Sequence, residues 1–479
     1  MDLLKTICRH EWRQLCRQRW MLSGLILFIF IALLAIGVGN QAVHSKFTQI
    51  DSMKVSFDQD IRNTIQKLGD TSTPKGKGEA KNAGLAAMIN YRLSPTAIKK
   101  PLPLSALSLG LMDVQPWYQQ IKFTRNFNDQ NWAPITNPMM MLAGNFDYSF
   151  VLVYLLPMLV LSFCYSIYSA EVEAGTLSLL AIQGSNVKLV IRLKLLFRFL
   201  LLGSILTLLN IIGFLLVIHK TDYTLGMLIG WMLITWLYLF FWIAIAYLAL
   251  SLKKAAMVTA LYLASTWLLL LIVIPSVVNS YIQVKYPLPL QDEIASFRRH
   301  QSEEIWAGSP KLLSDSFNRY NPQYASSINP AKDTLPHSLR YVAGYYYLLE
   351  RRMNRKMKPF NQQVDLRNRT AQKLLRWNPV FLCESGLNTI SGNQLYAFQD
   401  FNEQANKYQL QWQGFLYPFH FAEKRLTSAD LSVIPVFNYR PPIVFDINVI
   451  LAIVYIFMLS CIILVMAVLI ERKHSFIKL

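Results

Sequence analysis

The sequence predicts an α-helical polytopic membrane protein, with six transmembrane helices and a large, mainly helical mixed extracytoplasmic domain built from two insertions. Three observations carry this. The 479 residues are 53% hydrophobic with mean hydropathy +0.29, and the apolar excess gathers in long uncharged runs. Six runs approach or exceed the roughly 20 residues that cross about 30 Å of hydrocarbon. The short Lys/Arg-rich segments beside those runs all fall on one side of the membrane when six spans are drawn.

Residues 1–20 set Leu4, Ile7, Cys8, Trp12 and Leu15 against Lys5, Arg9, Arg13 and Arg17. That alternation predicts a cytoplasmic amphipathic helix lying in the interface. The first span, 21–39, is too long for the apolar core of a cleaved signal peptide and reads as a retained anchor. Residues 40–148 form the first external segment, 149–168 the second span and 169–194 a cytoplasmic hairpin. Spans three, four and five follow at 195–218, 225–252 and 255–278. Lys253 and Lys254 separate the last two, because two ammonium groups at mid-membrane are costly. Residues 279–446 form the second external segment, 447–470 the sixth span and 471–479 a cytoplasmic tail. Four basic clusters fix this orientation: the N-terminal one, Lys188/Arg192/Lys194/Arg198, Lys253/Lys254, and Arg472/Lys473/Lys478. Both termini are therefore expected in the cytoplasm, and the large external domain suggests a bacterial inner membrane.

Aromatic and aliphatic residues recur through both external segments, so these are expected to fold together. Amphipathic spacing predicts helices over 53–68, 294–306 and 396–409, the last presenting Phe398, Phe401 and Tyr408. A longer helix is expected over 341–373, interrupted near Pro359, and a loop over 71–83. The five cysteines include no CxxC pair, and only Cys383 lies outside, so no disulfide is expected within the domain.

The net charge of +19 comes from 47 Lys+Arg against 28 Asp+Glu. Nucleic acid is not indicated, because no recognition motif accompanies the charge. No GxxxxGK[ST] loop, HExxH helix or GxSxG elbow is present, which removes a self-contained ATPase and the common hydrolases. His10, His219, His337 and His420 read as ordinary surface or interfacial residues. Asn210, Thr207, Thr235, Thr259 and Ser265 supply polar groups inside the spans, where such side chains join helices. The lack of mid-span charge argues against ion-coupled transport.

The most informative stretch is 137–196. Asn137-Pro138 and Phe146-Asp147 precede the second span, which contains Pro157, and Glu171-Val172-Glu173-Ala174-Gly175-Thr176-Leu177 follows it, with Leu180 beyond. In this order and spacing the chain resembles the ABC-2 type transporter permease superfamily, in its subgroup with large external insertions after the first and fifth spans. One departure stands out: Gln183-Gly184-Ser185 occupies the place of a Ser/Thr-x-Pro turn.

The resemblance implies a non-catalytic membrane subunit that binds no cofactor itself, with ATP and magnesium held by cytoplasmic ABC ATPase subunits. It implies a second permease copy or a related chain as partner, within membrane lipid. It makes Glu171, Glu173, Gly175, Thr176, Leu177 and Leu180 the ATPase-coupling residues, and Asn137, Pro138, Phe146, Asp147 and Pro157 structural motif positions. Residue chemistry fits: Gly175 permits a bend, Thr176, Leu177 and Leu180 offer a small apolar face, and Glu171 and Glu173 can pair with basic groups of a partner or of the N-terminal helix. The expected activity is ATP-driven export. The alternative is mechanical transmission, in which the external domain acts on a periplasmic or outer-membrane protein and nothing crosses. A membrane-bound enzyme or sensor is the third reading, and no external catalytic set supports it.

Overall fold

Six helices of the computed structural model are long and apolar enough to cross a membrane. It describes residues 2–70, 72–123, 146–176, 187–218, 225–287, 291–324, 339–422, 424–442 and 447–473. Helix α1 is Asp2–Arg17 and α2 is Arg19–Gly69. The other spans are α5 (Tyr148–Glu173), α6 (Val187–Ile218), α7 (Leu225–Ser251), α8 (Ala256–Lys285) and α15 (Ile447–Lys473). Helix α7 is the hub, with 72% of its most apolar stretch buried, against 17% for α8. Trp231, Tyr238 and Trp242 of α7 are fully buried there.

Helix α2 does not stop where its apolar run ends. No Pro or Gly intervenes between residues 40 and 68, so nothing breaks the helix until Gly69. Its 51 residues extend about 76 Å at 1.5 Å per residue, far beyond a bilayer core. The helix expected over 53–68 is thus the far half of α2.

The domain is assembled from both insertions. Helices α3 (Pro74–Ala83) and α4 (Ala86–Arg92) come from the first, with an antiparallel pair β1 (Thr96–Ile98) and β2 (Tyr118–Gln120) in register Thr96↔Gln120. From the second come α9 (Gln291–Trp306), α10 (Pro310–Tyr320), α11 (Leu339–Leu375), α12 (Pro379–Ile390), α13 (Leu395–Phe421) and the short α14 (Ser428–Leu431). Ile89, Leu93, Ile121 and Phe123 of the first insertion form one core with Phe401, Tyr408, Trp412 and Leu416 of α13. Asn90 fixes their register: its Oδ1 accepts from Phe123 N at 2.8 Å and Trp412 Nε1 at 3.2 Å. A second cluster, Ile305, Leu313, Tyr341, Leu349 and Met353, joins α9, α10 and α11.

Three expectations change. Residues 74–83 are a helix rather than a loop, because Thr73 Oγ1 accepts from Gly76 N at 2.9 Å and Pro74 opens the first turn. Helix α11 runs through Pro359. That proline lies on the exposed face, where the carbonyl it releases at Arg355 is open to water. His420 is buried rather than superficial, packed on Phe123 and Phe421, and burial pushes its imidazole down to about 4. All five cysteines are free.

One end of the bundle carries Lys188, Arg192, Lys194, Lys253, Lys254 and Arg472, and is the basic end; the domain caps the other.

Candidate functional site

At the basic end, α5 closes on a glycine. Ala174 N and Gly175 N donate to the Ala170 and Val172 carbonyls at 3.0 and 3.1 Å, and Gly175 turns the chain at φ +67°. A Cβ at Gly175 would meet nothing within 4 Å, so the requirement is conformational and not spatial. Thr176 Oγ1 then folds back, donating to the Glu171 carbonyl at 3.1 Å and to the Glu171 carboxylate.

Glu171, half-buried, opens a chain of four linked charges, of which the other three are buried. Its carboxylate pairs with Lys194 Nζ of α6. Lys194 also stands 3.0 Å from Glu11 Oε1 of α1, and Arg198, one turn along α6, holds Glu11 Oε2 at 3.0 Å. Glu11, Lys194 and Arg198 are 3%, 5% and 6% exposed, so this cluster is enclosed by protein. Two carboxylates balance two cations, which is the condition for keeping charges there. The cluster ties α1 and the end of α5 to α6. Cys164 and the apolar residues Leu15, Met21 and Phe163 pack close by.

A second network joins α6 to α7 and α15. Arg192 Nε donates to the Tyr247 hydroxyl at 2.8 Å, that hydroxyl donates to Glu471 Oε2 at 2.8 Å, and Arg192 pairs with Glu471 directly. Glu471 is fully buried. Movement of α6 at this end is therefore linked to α1, α5, α7 and α15.

The opposite end of α5 is fastened to the domain. Asp147, 3% exposed, is the N-cap: its carboxylate accepts from Phe150 N and Ser149 Oγ at 2.8 Å and from Leu109 N at 2.7 Å. Burial raises its pKa, and those donors oppose the rise. Ser108 Oγ is 2.6 Å from Asn388 Oδ1 of α12, and Asn393 Nδ2 donates to the Ser108 carbonyl at 2.7 Å. Lys99 Nζ donates to the Gly392 carbonyl at 2.9 Å. Both insertions thus meet at the first turn of α5.

Prolines interrupt two spans, and in each a side chain donates to a carbonyl in the turn before the proline. In α5 a π-helical turn, Val151–Leu155, precedes Pro157. The Val153 carbonyl, four residues before the proline, accepts from the Tyr238 hydroxyl of α7 at 2.8 Å. In α8 a π-helical turn, Leu269–Val273, precedes Pro275, and the Leu270 carbonyl, five residues before that proline, accepts from Asn378 Nδ2 at 2.7 Å. Asn378 caps α12, whose Val380, Cys383, Leu387 and Ile390 belong to the core shared by the spans. A helix from the second insertion is therefore lodged in the bundle beside both π turns. Asn210 behaves as interhelical glue: its Oδ1 accepts from the Tyr148 hydroxyl at 3.0 Å and Trp231 Nε1 at 3.1 Å, and its Nδ2 donates to Thr235 at 3.1 Å.

Of the sequence-selected residues, Glu171, Gly175 and Thr176 meet at one turn, and Glu173 is exposed beside them. Phe146 and Asp147 lie at the start of α5, and Pro157 lies within it, after the π-helical turn. Leu177, Leu180, Asn137 and Pro138 lie outside the described residues, as does the turn at 183–185. Glu171 pairs with α6 and shares its lysine with an acid of the N-terminal helix; the sequence had suggested basic groups of a partner or of that helix as its pairing residues. Sequence reading passed over Glu11 and treated Lys194 and Arg198 as orientation signals only. The available signal was two cations four residues apart on an apolar helix, with Glu11 amid the basic residues of α1. Among the described residues no group of three His, Cys, Asp or Glu side chains is placed to hold a metal.

The description ABC-2 family transporter protein matches residues 5–325, and a domain of unknown function, DUF3526, matches 293–440. Neither the curated proteins nor the solved structures give a match. The family match takes in α1, five of the six spans and the first insertion, well over half the chain: this protein belongs to the ABC-2 family of transporter proteins.

Proposed function

We propose that this chain is the export permease of an ATP-driven transporter in a bacterial inner membrane, with its basic end in the cytoplasm. The segment 171–180 docks on a separate ATPase subunit that holds ATP and magnesium. One observation carries the reading: Glu171, at the mouth of that turn, is bonded through Lys194 to Glu11 and on to Arg198. A push on the turn is delivered to α1 and α6 through enclosed ion pairs instead of being lost in solvated side chains. The π turns of α5 and α8 give the spans places to bend, and a second copy or related chain completes the pathway. Purifying the chain from native membranes in mild detergent tests this. A stoichiometric P-loop ATPase is expected, and it is lost in Gly175→Asp/Thr176→Asp; absence of any ATPase contradicts the reading.

Mechanical transmission is the second reading, favoured by α2. It runs unbroken from the basic end into the domain, where Phe57, Ile61 and Leu68 pack on the α13 core. ATP-driven tilting of the span would then move the domain against a periplasmic or outer-membrane partner. Cargo movement in proteoliposomes separates the two: export requires it, and transmission proceeds without it.

A further inference from the structure

At the basic end, α6 and α15 both pack on α7 but do not close against each other. They leave a crevice of about 570 Å³ walled by Leu195 and Phe199 of α6, Phe240 and Ile243 of α7, and Leu464 and Val468 of α15. Leu196, Val465 and Leu469, 42%, 59% and 57% exposed, form its open lip. The walls are hydrocarbon, and the mouth is not: Arg192 and Arg472 line it, and Lys473 follows.

Arg192 is held in place by Tyr247 and Glu471, so its planar head is fixed at the mouth. Arg472 is exposed, with no carboxylate partner among the described residues. The nearby acid is Glu471, which is fully buried and paired with Arg192. Three cations against one carboxylate leave the mouth basic, and Lys188 and Lys253 add to the field close by.

We infer that this crevice binds an anionic phospholipid of the cytoplasmic leaflet, one acyl chain between α6, α7 and α15 and the phosphate on Arg472 and Arg192. Charge and hydrophobicity are divided as such a lipid divides them: apolar along the spans, cationic at headgroup depth. Basic pockets between spans on the cytoplasmic side take anionic headgroups, in the leaflet where those lipids concentrate. Guanidinium groups suit phosphate oxygens, which they bind in pairs. The volume falls in the small-ligand range of roughly 300–1,000 Å³. It would admit only about one or two turns of a helix some 10 Å across, which disfavours a protein segment. The lipid would bridge α6, the hub of the coupling networks, to α15. This assignment rests on the proposed orientation of the basic end.

Native mass spectrometry of the full chain, delipidated in detergent and titrated with phosphatidylglycerol or phosphatidylcholine of equal acyl chains, tests the site. Phosphatidylglycerol is expected to bind about tenfold more tightly. Arg472→Glu removes that preference, and Leu196→Trp, which fills the lip, reduces binding of both lipids. Equal binding of the two lipids, or a preference unchanged in Arg472→Glu, overturns the proposal. So does disulfide cross-linking of Val465→Cys between two copies, because protein would then cover the crevice. Orientation is read separately, from labelling of Lys473→Cys in sealed cells by a membrane-impermeant maleimide in a background free of other cysteines. Labelling there overturns the topology and the leaflet assignment together, whereas the detergent titration reports on the crevice alone.

Discussion

Arg198 of α6 grips Glu11 of α1 at 3.0 Å in a setting where both are at least 94% enclosed. Removing Arg198 leaves Glu11 and Glu171 to share one cation, Lys194. Arg198→Met is therefore expected to cost about 3–5 kcal/mol and to lower the melting temperature of the purified protein. Adding Glu11→Gln should recover much of the loss, because the surplus carboxylate disappears. A thermal-melt double-mutant cycle checks this. Additive losses would mean that the pair is not coupled.

Gly175 demands a positive φ, not room. Gly175→Ala is expected to lose about 1–2 kcal/mol of preference for this turn, and Gly175→Asn less. The effect should appear in ATPase affinity more than in melting temperature, because the site is exposed. Titrating purified ATPase subunit against both variants measures it.

Tyr238→Phe removes the donor to the Val153 carbonyl while leaving the ring in place. The expected loss is about 1–3 kcal/mol, the cost of a buried acceptor left without a partner. Asn378→Leu should do the same at the Leu270 carbonyl and also loosen α12. Thermal melts of both variants give the costs; faster amide exchange around Leu270 in Asn378→Leu reports the loosening.

His420 predicts a pH response. Its folded pKa of about 4 lies below the usual value of 6.5. Between those values the unfolded chain binds the proton and the folded chain does not, so stability falls as pH drops from about 6.5 toward 4. Its ceiling is about 3 kcal/mol, from roughly 1.4 kcal/mol per pKa unit. Domain melting followed against pH should flatten across this window in His420→Phe, and an unchanged slope would assign the response elsewhere.

The spans were legible because lipid demands uninterrupted apolar helices, and that demand is written in local composition. The end of α2 was not, because the apolar signal stops near residue 39 while the helix needs only the absence of breakers to continue. Pro359 misled for a related reason: one interior proline costs roughly 3 kcal/mol, which a packed helix of 37 residues can absorb. At the site, Gly175 and Glu171 were readable from a local motif. Glu11, Lys194 and Arg198 were not, because the cluster is made by packing α1 on α6, 187 residues apart in sequence. Tyr238 and Asn378 were hidden likewise: nothing local says which distant side chain reaches a carbonyl in the turn before a proline.

The central claim is that the exposed turn after α5 is where an ATPase acts. A photo-cross-linking amino acid at Glu173, introduced into the native membrane, tests it most directly. The account predicts capture of a P-loop ATPase in a single adduct, with a yield that changes when ATP is added. No ATPase adduct at Glu173, from membranes in which the protein is folded and abundant, would contradict it.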